Sequence, residues 1–139
     1  MSCLRLDHVG YAVASISDYL AEFFEPLFGP VDVSPVVEDP AQRVRVAFVT
    51  LAGGDRIELI EPTEESSPVW GFLRDRRGGL YHVCYAVESL EDEVERFKAR
   101  RCMVFSGPTP ATAFGGRRIV FLYTPQRDII ELVEAELAA

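Results

Sequence analysis

The sequence predicts an α+β fold made of two tandem β-α-β-β-β modules. Two observations lead there. The chain repeats itself: Leu6-Asp7-His8-Val9-Gly10-Tyr11-Ala12-Val13-Ala14-Ser15 matches Leu80-Tyr81-His82-Val83-Cys84-Tyr85-Ala86-Val87-Glu88-Ser89 at an offset of 74, with Leu, His, Val, Tyr, Ala, Val and Ser coinciding. Arg45-Val46-Ala47-Phe48-Val49 then matches Arg118-Ile119-Val120-Phe121-Leu122, and the stretch 55–61 matches 128–134, both at an offset of 73. The apolar pattern also changes period in the same order in both copies, from strand-like to helical and back. Module one covers residues 4–62, a connector 63–78 follows, and module two covers 79–135, within one domain of residues 1–139.

Each element follows from local sequence. Residues 4–13 and 79–87 are β-rich and alternating, as strands require. Ser15 to Asp18 and Ser89 to Asp92 resemble capping boxes that open helices. The first helix carries Ile16, Leu20, Phe23, Phe24, Leu27 and Phe28 at the spacing of one buried face and ends at Gly29-Pro30. The second carries Leu90, Val94 and Phe97, with Glu91, Asp92 and Glu93 in its first turn and Lys98, Arg100 and Arg101 at its end, a charge order that complements the helix dipole. Three strands follow in each module, at 31–38, 43–51 and 55–61, then at 102–106, 117–123 and 128–134. Gly53-Gly54-Asp55 and Pro125-Gln126-Arg127 supply the turns between the last two. In the connector, Trp70 and Phe72 are expected to anchor on the core, and Arg74, Arg76 and Arg77 form a basic cluster read as a solvated loop.

Composition narrows the function. With 48% apolar and 26% charged residues, 139 residues support a globular core. Fourteen basic against twenty-two acidic residues give a net charge of −8. That argues against binding nucleic acid or an anionic membrane surface. No apolar run approaches the roughly 20 residues of a membrane span. Met1-Ser2-Cys3-Leu4-Arg5 has no signal-peptide pattern, so a cytoplasmic protein is expected. Cys3, Cys84 and Cys102 are odd in number and lack a C-x-x-C pair; they read as reduced thiols.

The repeat superimposes functional side chains. His8 and His82, the chain's two histidines, fall at equivalent places on the first strands, and Glu58 and Glu131 on the last. Two imidazoles and two carboxylates suit a divalent metal ion with mixed nitrogen and oxygen ligands. Parity puts Ile57, Leu59, Ile130 and Leu132, with Val9, Tyr11, Val13 and Val83, Tyr85, Val87, on the face opposite these four. One face thus reads as helix-packed core and the other as a polar groove. The bland reading is a hydrogen-bonded structural histidine and a solvated strand glutamate in each copy. Arg45 and Arg118 also match, and alternation with Val44, Val46, Phe48, Ile119 and Phe121 turns them towards the groove, where they would bind a carboxylate, thioester oxygen or phosphate. Pairing with strand acids is the alternative. Glu61 and Glu134 read as surface charges, and Cys84 as packing.

These residues resemble the vicinal oxygen chelate (glyoxalase/bleomycin resistance/dioxygenase) superfamily over nearly the whole chain. The carrying stretches are 6–13, 57–62, Ser66-Ser67-Pro68-Val69, 78–82 and 130–134, nearest in pattern to methylmalonyl-CoA epimerase and glyoxalase I-like proteins. The resemblance implies a curved mixed sheet with a metal-binding groove. It implies that His8, Glu58, His82 and Glu131 hold one divalent ion (Ni, Co, Zn, Mn or Fe) and that Glu131 or Glu58 moves a proton next to a carbonyl, through an enediolate, on a thioester or hemithioacetal. A homodimer is expected. The epimerase pattern also implies a second catalytic Glu before a Gln-Gly-Val-like sequence; here Pro40 or Ala41 stands there, with Glu38 and Asp39 close by. Two alternatives keep the fold: a non-catalytic binder of an antibiotic-type small molecule, and a ring-cleaving dioxygenase with two His and one Glu on iron, against which a fourth ligand at Glu58 counts.

Overall fold

The computed structural model describes residues 4–136, so Cys3 lies outside the described residues. Both modules appear in the expected order, and the chain divides into two compact units. One runs from His8 to Tyr81; the other comprises the residues before His8 and those from His82 onward.

In the first copy of the repeat, β1 (Arg5–Ala12) leads to helix α1, which runs from Ile16 to Phe28. Ser15 caps it, its hydroxyl accepting from the Asp18 N–H at 3.2 Å. Leu20–Phe24 form a π-helical stretch, and the Glu25 N–H donates to the Leu20 carbonyl. Pro26 follows directly after Glu25, without an N–H and with a ring that crowds the carbonyl four residues back. The wider π turn accommodates it. The same turn shifts the phase of the helix, which corrects the expectation of one continuous buried face. Ile16 and Phe24 are buried, whereas Phe23, Leu27 and Phe28 are exposed.

The expected strand at 31–38 is two short strands, β2 (Asp32–Val33) and β3 (Val37–Asp39), separated at Pro35, which cannot donate to a ladder. Both pair with β4 (Val44–Thr50), which pairs antiparallel with β5 (Arg56–Pro62), which runs parallel beside β1. Ile16 and Phe24 of α1 pack with Val13, Ala47, Val49 and Leu59 on one face of this sheet.

The connector holds a helix that the expected loop lacked, α2 (Pro68–Arg76). Ser67 caps it, Pro68 fills its first turn, and Arg77 ends it in the left-handed region at φ 62°. Val69 is the buried anchor, not Trp70, which is 40% exposed; Phe72 packs edge-on against Tyr81 at 5.0 Å. Gly78 follows at φ +114°, and a Cβ there would lie 2.8 Å from the Ala12 carbonyl oxygen. Only glycine fits that backbone approach.

The second copy repeats the plan. β6 (Gly79–Val87) leads to α3 (Leu90–Lys98), capped by Ser89, and then to β7 (Met103–Pro110), β8 (Arg118–Tyr123) and β9 (Ile129–Glu134). β6 and β9 are parallel, and β9–β8 and β8–β7 are antiparallel. β7 runs four residues beyond the expected 102–106, with register shifts between Val104 and Ser106 and between Ser106 and Thr109. Such bulges hide the alternation by which a strand is read. Leu90 and Val94 pack on Val120, Leu122, Ile130 and Leu132. Cys84 is buried and Cys102 partly so, and neither forms a disulfide.

Leu59 and Leu132, equivalent in the repeat and fully buried, sit at the centre of the two cores. Leu59→Ala and Leu132→Ala should each cost about 2–5 kcal/mol in chemical denaturation. A cost below about 1 kcal/mol for either would mean that its core closes over the gap.

Candidate metal and proton-transfer site

Each unit builds the same arrangement. On β5, Glu58 leaves the face opposite Ile57 and Leu59, which lie against α1. Gly10 stands directly beside it on β1, and Phe48 on β4. With no side chain at Gly10, the imidazole two residues earlier reaches across, and His8 Nε2 lies 3.3 Å from Glu58 Oε1. The Phe48 ring meets His8 edge to face at 5.2 Å. In the other unit Glu131 stands between Cys84 and Phe121, again with a small residue on the histidine strand. His82 Nε2 lies 3.0 Å from Glu131 Oε1, and Phe121 meets His82 at 5.6 Å. All four polar residues are buried.

The donors suit a divalent cation. Two atoms each about 2.1 Å from one ion are about 3.0 Å apart at a right angle and roughly 3.4 Å apart at the tetrahedral angle. The separations of 3.3 and 3.0 Å fall in that span. Each pair offers one imidazole nitrogen and one carboxylate oxygen, a set that Ni, Co, Zn, Mn and Fe all accept.

Arg45 and Arg118 are not on this face, which corrects their expected direction. β4 is apolar on both faces, so alternation alone does not orient it; Ala47 and Val49 join the α1 core, and Phe48 faces His8. Arg45 therefore shares the helix side and pairs with Glu61 at 2.7 Å and Glu38 at 3.5 Å. Arg118 likewise shares the side of Val120 and Leu122 and pairs with Glu91 at 2.6 Å and Glu134 at 2.7 Å.

Glu61 and Glu134 consequently do more than decorate the surface. Glu61 accepts the Ile16 N–H at 2.8 Å, tying the end of β5 to the start of α1. Glu134 accepts both the Arg118 backbone N–H and its guanidinium. Those hydrogen bonds hold the Glu134 carboxyl below its ordinary 4.5. A depressed carboxyl stabilises the fold above its ordinary pKa and loses that contribution as pH falls through the folded value. Lowering the pH below 4.5 should therefore reduce the Tm of the wild type more steeply than that of Glu134→Gln; parallel curves would contradict this.

Glu38 and Asp39 separate. Glu38 is exposed and beside Arg45; Asp39 is buried and, through its register with Val44, faces the same side as Glu58. Its carboxylate accepts from the Gln42 backbone N–H at 3.2 Å and side-chain amide at 3.1 Å, closing the turn that carries Pro40 and Ala41. Sequence reasoning did not single out Phe48, Phe121 or Arg56. Arg56 lies on the Glu58 face with its guanidinium carbon 4.1 Å over the Phe48 ring. Its mismatch with Ile129 in the repeat was the available signal.

An α+β duplication with one buried His–Glu pair per copy defines a class, and comparison with known proteins agrees. Residues 7–121 match the Glyoxalase/Bleomycin resistance protein/Dioxygenase superfamily, and the chain belongs to it. It is 32% identical to the ethylmalonyl-CoA/methylmalonyl-CoA epimerase of Cereibacter sphaeroides over 86% of this chain and 87% of that one. The methylmalonyl-CoA epimerase of Mycobacterium tuberculosis is similar in structure, with a TM-score of 0.80 and 28% identity over 95% of this chain and 88% of that one. A Streptomyces coelicolor methylmalonyl-CoA epimerase variant in complex with 2-nitronate-propionyl-CoA has a TM-score of 0.78 and 25% identity over 96% of this chain and 98% of that one. Among the described residues no helix is long and apolar enough to cross a membrane.

Proposed function

We propose that the protein is a metal-dependent isomerase that moves a proton next to the carbonyl of an acyl-CoA thioester, with His8, Glu58, His82 and Glu131 holding one divalent ion. The observation that carries this reading is the pair of repeat-related, buried His–Glu contacts at 3.3 and 3.0 Å. The ion supplies Lewis-acid stabilisation of the negative charge that gathers on the carbonyl oxygen as the α-proton leaves.

The chain's own residues do the rest. The imidazoles bind through Nε2, the atom that faces the carboxylate in each pair. Phe48 and Phe121 hold the rings edge-on and keep water from their sides. Glu58 has Arg56 two residues away on its own face, and Glu131 has Ile129 and Val133. In this reading Glu131, flanked by apolar residues, is the base that takes and returns the α-proton, and Glu58 is the purely ligating carboxylate. Asp39 shares the Glu58 face through its register with Val44 and is the candidate for a second base, whereas Glu38 lies beside Arg45 on the helix side. The epimerase relatives favour a CoA thioester over a hemithioacetal. The acidic composition fits a cytoplasmic enzyme, and a homodimer is its expected form.

Incubation in D2O separates the chemistries. With methylmalonyl-CoA the α-carbon should take up deuterium, read by mass spectrometry. Product from methylglyoxal and glutathione instead would make the enzyme a lactoylglutathione lyase. No reaction with either, from protein carrying metal, would end the proton-transfer reading on both substrates.

A further inference from the structure

We infer that Phe105 and Tyr123 seat the α-substituent of the acyl group, and that the enzyme takes thioesters carrying a long or aromatic substituent there as well as a methyl. The inference rests on the acyl-CoA reading above, with Glu131 as the base, and adds the class of acyl group.

Every residue that forms the seat lies in the unit that runs from His82 onward. A base that takes the α-proton approaches the α-carbon to about 3.5 Å, so the substituent on that carbon starts beside Glu131. On the β6 side of Glu131 stands His82, at 3.0 Å. On the β8 side, directly opposite in register, stands Phe121. The Phe121 ring meets Phe105 at 5.9 Å, and Phe105 stacks on Tyr123 at 4.2 Å with 26° between the planes. Exposure along this face of β8 rises from 1% at Ile119 and 7% at Phe121 to 39% at Tyr123, so the face is closed at one end and open at the other.

The open end is apolar. Tyr123 pairs with Ile129 on β9 and with Met103 on β7, the edge strand. Phe105 falls at the register shift between Val104 and Ser106. A bulge at a sheet edge re-aims a side chain, and here it lays a ring on Tyr123. Stacked rings beside a thioether suit a hydrocarbon chain or an aryl group, which needs no hydrogen bonds, better than the amides and phosphates of the carrier. The stack is two ring-to-ring steps from His82, whereas the adenine of CoA is separated from the thioester by the whole pantetheine arm and a diphosphate.

The repeat supplies an independent observation. The His–Glu pair and the ring beside it are duplicated, as His8, Glu58 and Phe48 and as His82, Glu131 and Phe121. The next row is not. In the first copy it reads Arg56, Thr50 and Asp32, in the same register as Ile129, Tyr123 and Met103. The fold therefore accepts polar residues in this row. An apolar strip left exposed beside a site marks a surface that a ligand covers.

Deuterium uptake at the α-carbon, measured as kcat/KM for methylmalonyl-CoA, butylmalonyl-CoA and benzylmalonyl-CoA, tests the seat. Wild type should exchange the two larger substrates within about tenfold of the methyl one. Phe105→Ala should lower the benzyl-to-methyl ratio by roughly 10-fold, through the lost ring contact and the lost apolar area. Tyr123→Thr, which installs the residue type of the first copy, should lower it likewise. Phe105→Leu should lower it by a smaller factor, and it serves as the test if Phe105→Ala does not fold. Wild type that exchanges methylmalonyl-CoA but is slower by more than about 100-fold on both larger substrates would overturn the inference and leave the acyl-CoA reading standing. An equal fall for all three substrates in the variants would put the carrier on the rings and overturn it too. So would an unchanged ratio, and a smaller particle in sedimentation velocity would then make the strip an interface between copies. Wild type that exchanges none of the three would end the acyl-CoA reading, and this inference with it.

Discussion

Glu131→Gln should slow deuterium uptake into methylmalonyl-CoA by about 10²–10⁴-fold, the range that a positioned general base contributes. The amide keeps the shape and one oxygen donor of the carboxylate but does not accept a proton at neutral pH. The loss should therefore appear in the exchange rate with much of the metal retained. Glu58→Gln is the control, since Glu58 stands in the same register and pairs with His8 as Glu131 pairs with His82. If the residues flanking each carboxylate set its role, Glu58→Gln should lower metal occupancy more than it lowers exchange per bound ion. A Glu131→Gln protein exchanging within about threefold of wild type would move the base elsewhere, with Asp39 first in line.

The second large effect is on the metal itself. Wild type purified without a chelating tag should carry about one divalent ion per chain, since two imidazoles and two carboxylates would suit a single divalent ion. His8→Ala and His82→Ala should each lower metal affinity by at least roughly 100-fold, because removing a ligand costs more than removing the group that orients one. The two losses should be alike, as both histidines are buried and each faces a carboxylate through Nε2. An undiminished ion in His82→Ala would remove that residue from the ligand set. Wild type that takes up no Ni, Co, Zn or Mn would leave a small-molecule binder of the same fold.

The duplication made most of the fold legible. A repeated Leu-x-His-Val-x-Tyr-Ala-Val-x-Ser and a repeated Ile-Glu-Leu place the strands, the capped helices and the His–Glu positions without any long-range information. What stayed hidden has identifiable physical causes. The face of β4 is ambiguous because Val44, Val46 and Phe48 alternate with Ala47 and Val49, and only its pairing with β5 decides the matter. α2 was announced by Ser67-Pro68 at one end and Gly78-Gly79 at the other, yet its prolines and glycines also read as a loop. The turn of α1 out of phase depends on how a helix accommodates Pro26, which spacing alone does not express. Arg56 falls where the two copies differ, opposite Ile129, so the repeat does not mark it.

Trp70 gives the molecule an optical property of its own. It is the chain's one tryptophan, and it lies on α2, the helix that joins the two copies, with 40% of its surface exposed. Indole emission therefore samples that helix alone, whereas far-ultraviolet ellipticity averages over both copies. In a urea titration, coincident curves from the two signals would show the joining helix melting with the cores. An emission change at lower urea would mark it as the segment that opens first, at a free energy below that of global unfolding.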